Sequence, residues 1–254
     1  LVSREIPQFD LLQALNHGCL PRHYQADHPD LLGRSYVGDY LKEEIAAEAL
    51  TRNVPAFARF LEAASFSNGE VVNFTNIARE CGVSSPTVRE YFQILVDTLL
   101  AHFVPAFQKR PKRRVIQAPK FYLFDVGIAN ALLRRGTITV GSEVFGRAFE
   151  HLMVQEVIAH SHYSGLEYPI SYWRTASGFE VDLILGDRNV ALEVKGVSEI
   201  HSHHLRSMRA FLEEQKPRKA IVVSLDARPR NVDGIMVMPW RSFLDDLWSG
   251  AIIA

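Results

Sequence analysis

Apolar and polar positions alternate along this chain with two different periods, and the period changes partway along. Near the start, Ile6, Phe9, Leu11, Leu12 and Leu15 form one helical apolar set that ends at His17-Gly18, a helix C-cap. Pro21, Pro29 and Gly33 predict a loop, and residues 36–50 predict an amphipathic helix with a charged face. Residues 55–65 predict a helix with Phe57, Phe60, Leu61 and Ala64 inward, followed by a short helix over 74–81. A turn at Gly82-Val83-Ser84 leads to a longer helix over 85–101, capped by Ser84 or Ser85 with Pro86 in its first turn. Beyond residue 119 short strands take over. A strand enters a helix at Asp125, a plausible N-cap, and a helix over 142–161 precedes strands at 170–174, 181–185 and 190–194. A helix over 202–214 follows. The continuous apolar run 220–225 reads as a central strand, 235–238 as an edge strand and 242–247 as a closing helix.

The expected fold class is therefore α/β, in three segments. Residues 1–52 form a helical segment. Residues 53–118 form a winged helix-turn-helix, with Ala78 in its second helix, Gly82 at the turn and the pattern S-x-x-T-V-x-x-Y from Ser84 to Tyr91. Residues 119–254 form an α/β domain. The third helix of the middle segment would present Ser85, Thr87, Arg89 and Glu90 to a nucleic-acid groove, with Thr87 and Arg89 as the binding candidates. The apolar runs 101–107 and 115–116 would be two wing strands. Between them lies the basic stretch KRPKRR, in which Lys109, Arg110, Lys112, Arg113 and Arg114 are placed to meet phosphates. A solvated loop, or docking on an acidic protein surface, is the other reading of that stretch, as an interdomain role is for the helix-turn-helix.

The stretch FEVDLILGDRNVALEVKG, residues 179–196, carries the chemistry. Its two apolar runs joined by Gly-Asp-Arg-Asn predict a β-hairpin. Side chains alternate between strand faces, so Glu180 shares a face with Asp182, and Glu193 with Lys195. Pairing the strands brings Asp182 to Glu193, with Lys195 one step along. Two adjacent carboxylates need a cation, and Mg²⁺ (or Mn²⁺) accepts such oxygen ligands, retains waters and can activate one. Lys195 could orient that water or stabilise charge developing on a phosphate. On the preceding helix, Glu150 sits among Gly146, Met153, Val154 and Val157, where a lone acid is out of place. A charged, solvated sheet face is the plainer reading. His201, His203 and His204 lack acidic or cysteine companions and read as surface histidines. Arg206, Arg209, Lys216, Arg218 and Lys219 could contact phosphate or simply cover a solvated helix face.

Composition narrows the partners rather than naming one. With 47% hydrophobic and 22% charged residues, the 254-residue chain can bury a full core. A net charge of −1 gives no overall attraction to nucleic acid, so such binding must be local. Cys19 and Cys81 lack metal-ligand spacing, and with no apolar run of membrane length a cytoplasmic chain with reduced thiols is expected. No G-x-x-x-x-G-K-[ST] phosphate loop is present, and the start at Leu-Val-Ser without Met suggests a piece of a longer protein.

Helix with Glu150, hairpin with Asp182, then Glu193-Val194-Lys195 is an order that resembles the PD-(D/E)XK nuclease superfamily of restriction-endonuclease-like α/β folds. Glu180-Val181 stands where some relatives have a proline beside the aspartate. The resemblance implies catalytic roles for Glu150, Asp182, Glu193 and Lys195, with Asp182 and Glu193 as Mg²⁺ or Mn²⁺ ligands. The run PKFYLFDVGI from Pro119, the upstream helix-turn-helix and the G-x-x-F-E helix extend the likeness. Together they resemble the C-terminal half of a family of prokaryotic AAA-type ATPases with an appended domain of unknown function, including Gly18 and Pro21. That resemblance implies a partner ATPase domain holding the ATP, with nucleic acid, DNA foremost, as the other partner. No membrane partner is expected, and oligomers are compatible with the sequence. A non-catalytic module of the same fold, gripping nucleic acid or protein, and a regulator acting through the winged helix alone are the competing expectations.

Overall fold

The computed structural model of the chain describes residues 1–37, 53–108 and 113–254. Its contacts divide into two units. The first holds Leu1, Gln8–Phe103 and Pro119–Thr139, and the second holds Val2–Pro7, Val104–Ala118 and Val140–Ala254. The stretch Pro119–Thr139, grouped by sequence with the C-terminal segment, thus folds with the helices that precede it.

In the first unit, helix α1 (Leu11–His17) is capped by Asp10 and closed by Gly18 at φ 81°. The expected loop around Pro21 and Pro29 instead carries two short helices, α2 (Pro21–Tyr24) and α3 (Pro29–Ser35). Each proline occupies a first turn, where its missing N–H loses no bond, so it starts a helix instead of breaking one. The helix expected over 36–50 lies, beyond residue 37, outside the described residues. Helices α4 (Val54–Ser65), α5 (Phe74–Cys81) and α6 (Ser85–Asp97) are capped by Asn53, Asn73 and Ser84. They enclose a core that includes Phe57, Phe60, Val88 and Phe92, and Gly82 makes the left-handed turn between α5 and α6 at φ 67°.

Helix α6 stops at Asp97 and does not run to residue 101. Leu99 turns left-handed at φ 61°, and the Leu100 N–H reaches back 2.8 Å to the Leu95 carbonyl, a helix stop made without glycine. Strand β1 (Ala101–Val104) then pairs with β2 (Lys120–Leu123). The expected pairing of 101–107 with 115–116 does not form, because β2 is the run buried along its whole length, with Phe121 in the helical core. From β2 the chain passes through Asp125 into α7 (Val126–Leu132).

Asp125 fastens α1 to α7. One oxygen accepts the N–H groups of Gly127 and Ile128 at 2.8 and 3.1 Å, and the other accepts that of Cys19 at 2.7 Å. Burial pushes this carboxyl's pKa up, while the three N–H donors pull against it. The fastening leaves Gly127 no room: a Cβ there would lie 2.6 Å from Gly18 N and closer still to the His17 carbonyl oxygen. Both are backbone atoms that cannot swing aside. Gly127→Ala should therefore cost at least the ~3 kcal/mol at the upper end for overpacking, seen as a drop of roughly 10 °C in melting temperature. An unchanged melting curve would mean that the two helices are not in this contact.

The second unit is built on a sheet ordered β3-β4-β5-β6-β8-β7. Helix α8 (Glu143–Tyr163) precedes β3 (Ile170–Arg174), β4 (Glu180–Leu185) and β5 (Val190–Lys195), an antiparallel meander. A 3₁₀ turn (Ser202–Leu205) and α9 (Arg206–Leu212) replace the single helix expected over 202–214. Strand β6 (Lys219–Ser224) runs parallel to β5, with β7 (Arg230–Val232) and β8 (Ile235–Pro239) beyond it and α10 (Trp240–Trp248) closing the unit. Strand β8 is not the edge: β7, too short and polar to stand out in the sequence, covers it. Trp173, Val181, Ile184, Ala191, Met208 and Phe211 share one core cluster. No helix among the described residues is long and apolar enough to cross a membrane.

Candidate functional site

Strand β4 carries an irregularity at the candidate aspartate. Ser171 pairs with Ile184 and Trp173 with Val181, so two steps on β3 face three on β4. The extra residue falls at Asp182-Leu183, a β-bulge of the kind that re-aims a side chain beside a site. On the other side the β4–β5 ladder is registered from Leu185↔Val190 to Leu183↔Leu192. Where it ends, the Asp182 carboxylate takes over as acceptor: its Oδ2 receives the Val194 N–H at 2.8 Å.

Asp182 and Glu193 are both buried, at 5% and 2% exposure. Glu193 Oε1 lies 2.5 Å from Lys195 Nζ, so these two side chains share a strand face as alternation requires. Glu193 Oε2 is buried with no hydrogen-bond partner. Burial, then the negative charge of Asp182, holds the Glu193 carboxyl far above the usual carboxylate range, against the pull of Lys195. Burial works against the charge on Lys195, yet Glu193, Asp182 and, more weakly, Glu150 outweigh it and raise the ammonium's pKa. The two shifts pull in opposite senses, because Glu193 can hold Lys195 charged only while itself ionised. The physical reading is a cluster of two carboxylates and one ammonium in which Lys195 keeps its proton and the Glu193 carboxyl is held toward its protonated form.

Glu150 approaches through helix packing. Gly196, just past β5, sits so close to α8 that a Cβ on it would meet Gly146 Cα at 3.0 Å and the Phe145 ring at 3.1 Å. Glu150 is one turn further along α8 and half-buried. The fully buried acid of this helix is Glu156, which accepts from Ser3 and from Trp248 Nε1. Periodicity did not single out Glu156; its neighbours Met153, Val154 and Val157, all fully buried, were the available signal.

The basic candidates are divided. Lys109, Arg110 and Lys112 lie outside the described residues. Arg113 is not available to phosphate: its guanidinium bonds Glu213 and Glu214 at 2.6 and 2.5 Å and the Ala210 carbonyl at 3.0 Å. The flanks of the stretch, expected as wing strands of the middle segment, run beside β3 instead. Phe107 N–H donates to Tyr172 O, Ile116 N–H to Arg174 O, and Val115 bridges Thr175. Arg114 is exposed. On α6, the Thr87 hydroxyl pairs with the Ser84 hydroxyl at 2.8 Å, and the exposed Arg89 guanidinium lies 3.9 Å over the Phe74 ring. The imidazoles of His201, His203 and His204 gather beyond β5, the last two with ring centroids 3.8 Å apart. Among the described residues, no group of three or more His, Cys, Asp or Glu side chains is arranged to hold a metal ion.

These features define a two-unit protein with a buried carboxylate–lysine cluster at the end of a hairpin in its α/β unit. Residues 8–139 match the family model for a domain of unknown function (DUF8612), more than half of the chain, and the chain belongs to that family. Residues 145–243 match a second domain of unknown function (DUF4143). The boundary between the two matches falls where the first unit ends, at Thr139. No curated protein matches the chain.

Proposed function

We propose that the second unit is a divalent-metal-dependent phosphodiesterase of the PD-(D/E)XK kind, within a DNA-associated module that works beside an AAA-type ATPase domain. The observation that carries the reading is the Glu193 carboxylate: buried beside a second acid, one oxygen on Lys195 and the other without a partner. A buried acid pair of this kind is unfavourable unless a proton or cation shares it. Mg²⁺ suits the donors, since it binds through one or two carboxylates and keeps several waters, and Mn²⁺ takes the same oxygens. Asp182 and Glu193 would hold the ion, with Glu150 in its outer sphere. A bound ion would supply Lewis-acid charge stabilisation and a water acidic enough to act near neutral pH. Lys195, its side chain 31% exposed, keeps its proton and offers positive charge to a phosphate at the rim. The bond from Val194 N–H fixes the Asp182 carboxylate against the adjoining strand.

The match to DUF4143 supports the ATPase association, because that domain is commonly found alongside AAA ATPase domains. ATP would be bound there and not by these residues. Helices α4 to α6 with the Gly82 turn support a winged-helix reading of the first unit, with Thr87 and Arg89 toward DNA. Incubating the purified chain with duplex, branched and single-stranded DNA, and with RNA, in Mg²⁺ or Mn²⁺ tests the reading. The rival, a binding module that only keeps the fold, draws on the Glu193–Lys195 ion pair, which offsets the buried charge without metal.

The flanks of the basic stretch belong to the second unit, and nucleic-acid contact by that stretch is proposed for that unit. Neutralising Lys109, Arg110, Lys112 and Arg114 together should weaken nucleic-acid binding and flatten the slope of log K against log salt, by up to about 0.9 for each phosphate no longer neutralised. Arg113→Ala should leave that slope alone and lower the melting temperature, because its partners are Glu213 and Glu214. A slope unchanged in the four-residue variant would assign the stretch to solvent or to an acidic protein.

A further inference from the structure

The second unit holds a pocket at the C-terminal end of α8 whose lining includes none of the carboxylate cluster. It is a cavity of about 350 Å³ whose wall includes Arg4, His160, Tyr163, Leu166, Trp248 and Ile253. All of these belong to the second unit, Arg4 through the N-terminal stretch Val2–Pro7 that folds with it. Buried Glu156 organises one side. It accepts the Ser3 N–H at 2.6 Å, the Ser3 hydroxyl at 2.9 Å and Trp248 Nε1–H at 2.7 Å. Those bonds fix the indole and, next to Ser3, set the Arg4 guanidinium 4.2 Å above the ring.

His160 organises the other side, and its hydrogen bonds define its tautomer. The Tyr168 hydroxyl donates its single proton to the Val157 carbonyl at 3.1 Å. It can therefore only accept from His160 Nδ1, 3.0 Å away, so Nδ1 carries the proton and Nε2 is left as a bare acceptor. Burial, then the nearby Arg4 charge, lowers the imidazole's pKa, which favours its neutral form. His160 is 3% exposed, and no hydrogen bond to its Nε2 forms among the described residues. Tyr163 and Leu166 add apolar faces that are 60% and 44% exposed.

A ligand matched to this wall needs an N–H donor on a planar edge for His160 Nε2, a π face for Tyr163 and an anionic group for Arg4. We infer that this pocket binds a 5′-nucleotide unit with an amino-bearing base, the base against Tyr163 and His160 and the phosphate at Arg4. A cavity of this size accepts one such unit. The unit could be a free nucleotide or the phosphorylated end of a strand.

Calorimetric titration of the whole chain with adenosine 5′-monophosphate, without divalent ions, tests the inference. Binding is expected, with adenosine weaker than its monophosphate because Arg4 then has no anion to meet. N6,N6-dimethyladenosine 5′-monophosphate, which has no N–H on its amino edge, should bind more weakly as well. Tyr163→Ala and Arg4→Gln alter exposed side chains, so the fold should survive, and each should weaken binding about fivefold or more. Asp182→Asn should bind like the parent chain, which separates this pocket from the carboxylate cluster. Tighter binding of a 5′-phosphorylated oligonucleotide than of the mononucleotide would identify a strand end as the ligand, and the reverse a free nucleotide. No heat with the monophosphate at millimolar concentration, or equal affinity in both variants, overturns the inference.

Discussion

Asp182→Asn and Lys195→Ala should each abolish Mg²⁺- or Mn²⁺-dependent cleavage, yet differ in how they bind the metal. Asparagine keeps an oxygen to accept the Val194 N–H, so the strand end should hold its shape. It removes one of the two negative charges that would bind the ion, and metal affinity should fall with activity. Removing Lys195 takes away the ammonium that neutralises Glu193 without metal. The ion then competes with one cation fewer, so affinity should be kept or improved while the positive charge at the phosphate is lost. Losses of a single preorganised charge or donor of this kind cost about 10²–10³ in rate. Both variants should fold, and Asp182→Asn should melt no lower than the parent without metal, because it relieves a buried repulsion. Metal affinity read from thermal shift and cleavage read on gels therefore separate the two roles. If the parent chain cleaves no nucleic acid and gains no melting temperature with either ion, the binding-module reading stands.

What could be read from the sequence was whatever depends on near neighbours. Ser84 and Asp125 cap because a short polar side chain one residue ahead of a helix can reach its free N–H groups, a rule that needs no tertiary information. Gly18 and Gly82 end helices for an equally local reason. The pairing of Glu193 with Lys195 follows from strand alternation. Several readings that needed a distant partner failed. Residues 101–104 choose β2 over 115–116 because Phe121 completes the helical core, a fact about packing across the unit. Arg113 looks like its basic neighbours, and only the fold brings Glu213 and Glu214 to it. The bulge at Asp182-Leu183 leaves the alternating pattern of residue types intact, so the strand reads as regular although its backbone is not. The cavity at Arg4 and His160 was invisible for the same reason: Ser3 and Glu156 are 153 positions apart.

The same cluster sets a pH signature that does not depend on knowing the substrate. A carboxyl whose folded pKa is raised contributes stability in full below its unfolded value, near 4.5, and loses it as pH climbs through the folded value. Glu193 is raised to about 8, so unfolding free energy should fall between about pH 4.5 and 8 as its proton is lost. Lys195 is also raised, but a raised lysine gives stability that is constant until above its ordinary 10.5, so it adds no slope in this window. Asp125 and Glu156, raised as well, slope in the same direction as Glu193. The informative quantity is therefore the difference between the parent chain and Glu193→Gln. Each unit of pKa shift corresponds to about 1.4 kcal/mol, so the variant should gain a few kcal/mol on the parent across the window. Mg²⁺ should act oppositely, since it binds the ionised acid: the melting-temperature gain it gives should grow with pH in the parent and shrink in Glu193→Gln. Parallel pH curves for the two proteins, with no effect of metal on either, would mean that Glu193 is an ordinary structural ion pair with Lys195.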